Sequence, residues 1–442
     1  MTTTYADRSP GSETIVPGAS RRKASPAAPR GSSRPARPLQ PGGRGTAAGL
    51  RVALFSGNYN CIGDGANNAL NRLVAYLLAE GAAVRVYSPT AAPPAFEPQG
   101  DLVSVPSIAF PRRPEYRLAL GLPRRVRDDI RRFAPTLFHL SAPDPLGYRA
   151  QSFGRELGLP VVASLHTRFE TYFDYYGVGF LRRAAERYLG HFYRNCDQVL
   201  APNTELASGL AAWGVGDRVA IWSRGVDRQL FSPQWRSLEW RRANGYADDE
   251  AVVLFFGRVV REKGLDAFAR TIAELRADGT GLRPLIVGDG PGRPAFAAAL
   301  GDACFTSRLE GPALATAIAS ADVLLNPSTT EAFGNVNLEA MACGLTVVSA
   351  DVPSARALIE NGRTGLLVKP DEDGGYARAV EQARRHPLLR QKLGQAATAA
   401  ASRYDWNSVL ADVVAAYRRV GGCPAEPAAK TVAAGAIGRA SP

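Results

Sequence analysis

One stretch limits the architecture more than any other. The apolar run 323–325 is closed by Asn326-Pro327, followed by residues 328–344 and then by a second apolar run, 346–349. Strand, loop, helix and strand in that order make a βαβ unit. Its helix is expected to begin at about Asn335, where Gly334 lets the backbone come close to a ligand. The free N–H groups and positive dipole end of that helix would face whatever lies above the strand ends, a seat suited to phosphate. Glu331 lies in the loop before the helix, and Glu339 sits inside it, roughly 6 Å along the axis at ~1.5 Å per residue. Carboxylates so placed can accept hydrogen bonds from sugar hydroxyls. Taken alone, the same pattern also fits an ordinary buried crossover helix with acidic first turns.

The remaining chain repeats the alternation. The run Arg51–Phe55 reads as a buried strand, and a polar loop leads into a helix with Leu70, Leu73, Val74, Leu77 and Leu78 on one apolar face. Gly81 ends that helix and residues 84–87 give the next strand. Strands are expected at Leu137–Leu140, 161–165, Gln198–Ala201 and 218–222, with helices near 181–195 and 205–212. A second series opens at 252–256. At 442 residues the chain suits two domains of about 170–180 residues rather than one core. The expected division is a disordered basic tail (1–49), an N-terminal Rossmann-like domain (50–225), a C-terminal Rossmann-like domain (226–402), a last helix (403–420) and a second tail (421–442). The class is α/β.

Charge is uneven along this division. Residues 1–48 carry Arg8, Arg21, Arg22, Lys23, Arg30, Arg34, Arg37 and Arg44 against Asp7 and Glu13, in a context of Ser, Pro, Gly and Ala that cannot build a core. Residues 112–132 hold eight Arg against Glu115, Asp128 and Asp129, with Leu118, Leu120, Leu122, Val126, Ile130 and Phe133 available for one face. A solvated helix face and a surface that meets anionic lipid headgroups both fit this segment. Nucleic acid ranks last, because the interleaved aromatics of single-strand binders are missing. No run approaches the ~20 apolar residues of a membrane span, and none near the start resembles a secretory signal. Cys61, Cys196, Cys304, Cys343 and Cys423 are scattered, as expected of reduced thiols in a cytosolic protein rather than of a zinc site.

Several short motifs carry chemistry. Gly257-Arg258 and Lys263-Gly264 place a cation at each end of a glycine-flanked loop. Such a loop suits a diphosphate, gripped bidentately by Arg258 and by the point charge of Lys263. His166 falls at the carboxyl end of a parallel strand, where open α/β sheets keep their ligands. His139, His191 and His386 form no metal cluster with it. Residues 285–291 form a strand running into a glycine turn, and 305–310 lead into a helix. Asp371-Glu372-Asp373 spells Asp-x-Asp but lies in an exposed Gly-flanked turn, so no metal is expected there.

Glu331-Ala-Phe-Gly, then Glu339-Ala-Met-Ala-Cys-Gly, resembles the Glu-x7-Glu signature of retaining, nucleotide-sugar-dependent glycosyltransferases of family four. These have the two-Rossmann-domain GT-B architecture. Matched motifs run from Arg51 to Trp406, and Gly344-Leu345-Thr346-Val347-Val348 departs from the usual Gly-Leu-Pro-Val-Val only away from the contacting groups. The resemblance implies a UDP- or GDP-linked hexose donor, an acceptor on the first domain, no cofactor and no metal, and a last helix that crosses back onto the first domain. It implies that His166, Arg258, Lys263 and Glu331 act in catalysis. Donor binding would fall to Gly65 in the loop Gly63-Asp64-Gly65, to Arg308 and Leu309 near the base, and to Phe333, Gly334, Asn335, Val336 and Glu339. Glu331 would hold the hexose and Glu339 the ribose. Arg224, in Trp222-Ser-Arg-Gly-Val-Asp227, replaces a frequent Asn and resembles the subgroup acting on membrane lipids, the sulfoquinovosyltransferases and lipid mannosyltransferases. Tyr404-Asp405-Trp406 and residues 118–122 point the same way. A lipid or lipid-linked glycan acceptor on the inner face of a membrane follows from that likeness. Polysaccharide assembly, a nucleotide-sugar epimerase and an inactive binding relative are the alternatives.

Overall fold

The computed structural model describes residues 45–110, 113–166, 182–279 and 282–421. Of the tails expected over 1–49 and 421–442, residues 1–44 and 422–442, Cys423 included, lie outside the described residues. Among them are two sheets in which every strand pairing is parallel. The first has the order β3-β2-β1-β6-β7-β8-β9, built from β1 (Arg51–Phe55), β2 (Ala83–Ser88), β3 (Asp101–Ser104), β6 (Leu137–Leu140), β7 (Val161–Ser164), β8 (Gln198–Ala201) and β9 (Val219–Ile221). An antiparallel hairpin of β4 (Ser107–Phe110) and β5 (Arg113–Ala119) stands apart from it. The second sheet has the order β12-β11-β10-β13-β14-β15. Its strands are β10 (Val253–Phe256), β11 (Leu285–Val287), β12 (Cys304–Thr306), β13 (Val323–Asn326), β14 (Thr346–Ala350) and β15 (Leu366–Val368).

Central strands are buried along their whole length, as the unbroken apolar runs require when helices cover both faces of a parallel sheet. In each sheet the strand order reverses at one place, between β1 and β6 and between β10 and β13. Crevices outside the carboxyl ends of strands at such a reversal are where open α/β sheets hold ligands. Trp222 packs into the first domain's core and Val226 into the second's, so the junction falls between them. The chain returns at its end: Val409, Leu410, Val413, Val414 and Tyr417 of the helix Trp406–Gly421 pack with Leu50, Leu70 and Leu73.

Three expectations change. Residues 45–49 do not belong to a tail, since Ala47 is fully buried and Thr46 is bonded to Glu80. Leu78 is exposed, although Leu70, Leu73, Val74 and Leu77 of the same helix, Gly65–Ala79, are buried. The basic segment does not present a single face. Pro123 cannot donate inside a helix, so the helix Arg124–Phe133 starts after it and buries Val126, Ile130 and Phe133. Leu118 and Leu120 are exposed on and beside the hairpin. No helix among the described residues is long and apolar enough to cross a membrane.

Candidate active site

Two loops leaving the second sheet at its reversal point build one wall of a cleft of about 930 Å³. The loop after β10 carries Arg258 and Lys263, and the loop after β13 carries Glu331. They are tied together by Ser328 Oγ and Thr330 Oγ1, both donating to Glu262 O at 3.3 and 3.1 Å. Lys263 Nζ donates to Glu331 Oε1 at 2.5 Å, with side chains 29% and 15% exposed, so the pair is only partly screened by water. Gly334 caps the helix Asn335–Ala342 with φ +93°, a conformation that favours glycine. Its first N–H groups are therefore left to the cleft. Asn326 Nδ2 donates to Asn337 Oδ1 at 2.8 Å, and Asn337 Nδ2 to Ser349 Oγ at 3.1 Å, which bolts the helix to β13 and β14.

The opposite wall comes from the first domain. Asp64 caps the helix Gly65–Ala79 by accepting from Asn67 N at 2.9 Å. Burial raises its carboxyl, against the pull of Arg258 and Arg224. Tyr116 of the hairpin accepts a long 3.4 Å bond from Arg258 Nη1. Asn203 Nδ2 donates to Ala332 O at 3.1 Å, a further link between the domains. Glu339 is half-buried, and that burial raises its carboxyl to about 7 while Arg72 of the first domain draws it down.

Every residue expected at the donor site lines this cleft: Gly65, His166, Arg258, Lys263, Arg308, Leu309, Glu331, Phe333, Gly334, Asn335, Val336 and Glu339. Of these, Arg308 is paired with Glu310 at 2.7 Å on the exposed rim. His166 lines the cleft with both ring nitrogens engaged by protein groups. Arg224 Nη2 donates to its Nδ1 at 2.6 Å, which puts the ring proton on Nε2 and directs it to Ser164 Oγ at 2.7 Å. Ser164 continues to His139 Nε2 at 2.9 Å, and His139 Nδ1 bonds Tyr417 Oη. Burial and the neighbouring Arg224 hold His166 well below the usual imidazole range.

Arg224, Asp64 and Tyr116 also line the cleft, and none was counted among the expected site residues. The one available signal was the cation at Arg224 where an Asn is frequent. Asp371-Glu372-Asp373 lines a separate hollow beside the helix Leu265–Ala277, with Glu372 ion-paired to Arg378 at 2.6 Å. Among the described residues no three His, Cys, Asp or Glu side chains converge as they would around a metal ion.

Two Rossmann-like domains, with a cation-rich cleft at the strand ends and a last helix returning to the first domain, define the GT-B class of glycosyltransferases. The same fold is seen in sucrose-phosphate synthase from Thermosynechococcus elongatus, with a TM-score of 0.69 and 19% identity over 85% of this chain and 100% of that one. The chain belongs to glycosyltransferase family 4. Residues 63–230 match the family description "Glycosyltransferase Family 4", and residues 250–386 match "Glycosyl transferases group 1". It is 34% identical to a GDP-mannose-dependent alpha-mannosyltransferase of Mycolicibacterium smegmatis, over 84% of this chain and 98% of that protein. It is 29% identical to the sulfoquinovosyl transferase SQD2 of Arabidopsis thaliana, over 70% of this chain and 61% of that protein.

Proposed function

We propose that this glycosyltransferase moves a hexose from a nucleoside-diphosphate sugar to a membrane-lipid or lipid-linked acceptor, with retention of anomeric configuration. The observation that carries the reading is the convergence of Arg258, the Lys263–Glu331 pair and the start of the helix Asn335–Ala342 on one cleft. Departure of a nucleoside diphosphate builds negative charge on its phosphates, and fixed cations and helix N–H groups stabilise that charge without transferring a proton. Glu331 then serves the hexose hydroxyls and Glu339 those of the ribose. The acceptor hydroxyl attacks from the leaving-group face, and a phosphate oxygen takes its proton. No protein nucleophile and no metal take part.

The likeness to a GDP-mannose-dependent alpha-mannosyltransferase makes GDP-mannose the first donor to try. Support for a lipid acceptor comes from the hairpin. Tyr116 reaches the cleft, while Ile108 and Phe110 on the same hairpin and Leu120 just beyond it are 51%, 50% and 61% exposed, and the basic helix Arg124–Phe133 follows them in the chain. Apolar side chains flanked by arginines suit an anionic membrane surface. The test is a donor-hydrolysis screen over UDP- and GDP-sugars, with and without membrane lipid extract and with chelator present. The expected result is turnover of one donor, enhanced by lipid, insensitive to chelator and giving an α-linked product. An inverted product, or a strict requirement for Mg²⁺ or Mn²⁺, overturns the mechanism.

A further inference from the structure

Arg224 is 4% exposed and lines the cleft, yet each of its hydrogen-bond acceptors is neutral. Nη1 donates to Trp222 O at 3.2 Å and Ser223 O at 3.3 Å, Nη2 donates to His166 Nδ1, and the guanidinium lies over the Trp222 ring at 4.9 Å. Among the described residues no carboxylate is within ion-pair distance, and Asp64 acts on it only through space. Burial draws the group down to about 10, so it stays charged at neutral pH. A cation removed from water without a counterion opposes folding, and such a group is retained where a ligand supplies the missing charge.

We propose that Arg224 is a seat for a substrate oxyanion of phosphate type, on the first-domain side of the cleft and separate from the cations of the Arg258–Lys263 loop. This rests on the reading of the cleft as a nucleotide-sugar site. The oxyanion has two possible sources, the diphosphate of the donor or a phosphate carried by the acceptor. The guanidinium is already oriented, because its bonds to Trp222 O, Ser223 O and His166 fix the plane of the fork, so its remaining N–H groups meet the anion without reordering.

The test is calorimetric titration of the whole protein, as wild type, Arg224→Gln and Arg224→Lys. GDP and UDP are titrated first, and then glycerol 3-phosphate into protein saturated with the preferred nucleotide. Arg224→Gln is expected to lose at least tenfold in affinity in one titration, which identifies the source. Arg224→Lys, keeping the charge without the fork, is expected to fall between it and wild type. Equal affinities in both titrations would overturn the inference and leave the donor reading intact. Wild type that binds neither nucleotide overturns that reading itself.

Discussion

A β-carbon placed on Gly65 would lie 2.5 Å from Nδ2 of Asn335. Gly65 and Asn335 are the first residues of two helices in different domains, so the closed cleft depends on one position having no side chain. Gly65→Ala therefore separates stability from activity. Alanine favours the helix by about 0.5–1 kcal/mol over glycine, so the melting temperature is expected to hold or rise slightly. Displacing Asn335 is expected to lower kcat/KM about tenfold, roughly 1.4 kcal/mol of transition-state stabilisation. Thermal melts and initial rates at varied donor concentration check both, and unchanged rates would remove Asn335 from the donor-binding face.

The contact between Lys263 and Glu331 predicts non-additive kinetics. Lys263→Met and Arg258→Ala are each expected to lose about 2–4 kcal/mol in kcat/KM, the size of a lost oxyanion donor. Glu331→Gln should also be impaired. Combined with Lys263→Met it is expected to cost less than the two single losses together, because each single change leaves a partly buried charge without its partner. Full additivity in the four-enzyme cycle would mean that the two side chains act independently.

The sequence made the second-domain wall legible because its chemistry is local. Arg258, Lys263, Glu331, Gly334 and Glu339 lie in loops and one helix directly after β10 and β13, so strand ends alone bring them together. The first-domain wall depends on long-range contacts that no short window contains. Arg224 reaches His166 across 58 residues, and His139 meets Tyr417 across 278. His166 illustrates the difference: its place at the end of β7 was readable, but the occupation of both ring nitrogens was not. The hairpin is not apparent when Leu118, Leu120 and Leu122 are taken together with Val126, Ile130 and Phe133 as one helical face, although the leucines alternate with the period of a strand and Pro123 starts a new helix.

Residues 45–49 pack onto the first domain, although their composition is that of the preceding segment. Thr46 N and Oγ1 donate to Glu80 Oε2 at 3.1 and 2.7 Å, and Arg418 of the last helix donates to Thr46 O at 2.6 Å. A chain beginning at Gly45 is expected to melt like the full-length protein and to keep catalysis. A chain beginning at Leu50 leaves the buried carboxylate of Glu80 without Thr46 and is expected to lose about 2 kcal/mol. Equal melting temperatures for the two truncations would show that the Thr46–Glu80 contact adds nothing.

Glu339 gives nucleotide binding a pH dependence. Its carboxyl rises from an ordinary 4.5 to about 7 through burial. Between those values the native state holds a proton that the unfolded chain has lost, so this group's contribution to stability is complete below 4.5 and lost as pH rises through 7. Hydrogen bonds from ribose hydroxyls favour the ionised form, so GDP or UDP affinity is expected to increase between pH 6 and 8 in wild type. In Glu339→Gln the increase is expected to shrink to what the nucleotide's own phosphates produce. Parallel pH profiles for the two proteins would place the ribose elsewhere.

His139 works in the opposite direction. Burial pushes its imidazole down to about 3, from an ordinary 6.5, while Ser164 and Tyr417 occupy both ring nitrogens. The native state keeps it neutral where the unfolded chain takes up a proton. Its stabilising contribution is therefore complete above 6.5 and lost as pH falls toward 3. Tyr417→Phe removes the partner of a buried ring nitrogen and is expected to cost about 1–3 kcal/mol at pH 7, read from urea unfolding. His139→Gln, made in a Glu339→Gln background to remove the opposing trend, is expected to flatten the fall in stability between pH 7 and 5. Since Tyr417 belongs to the returning helix and His139 to β6, unaltered stability in Tyr417→Phe would mean that this bond does not help dock that helix on the first domain.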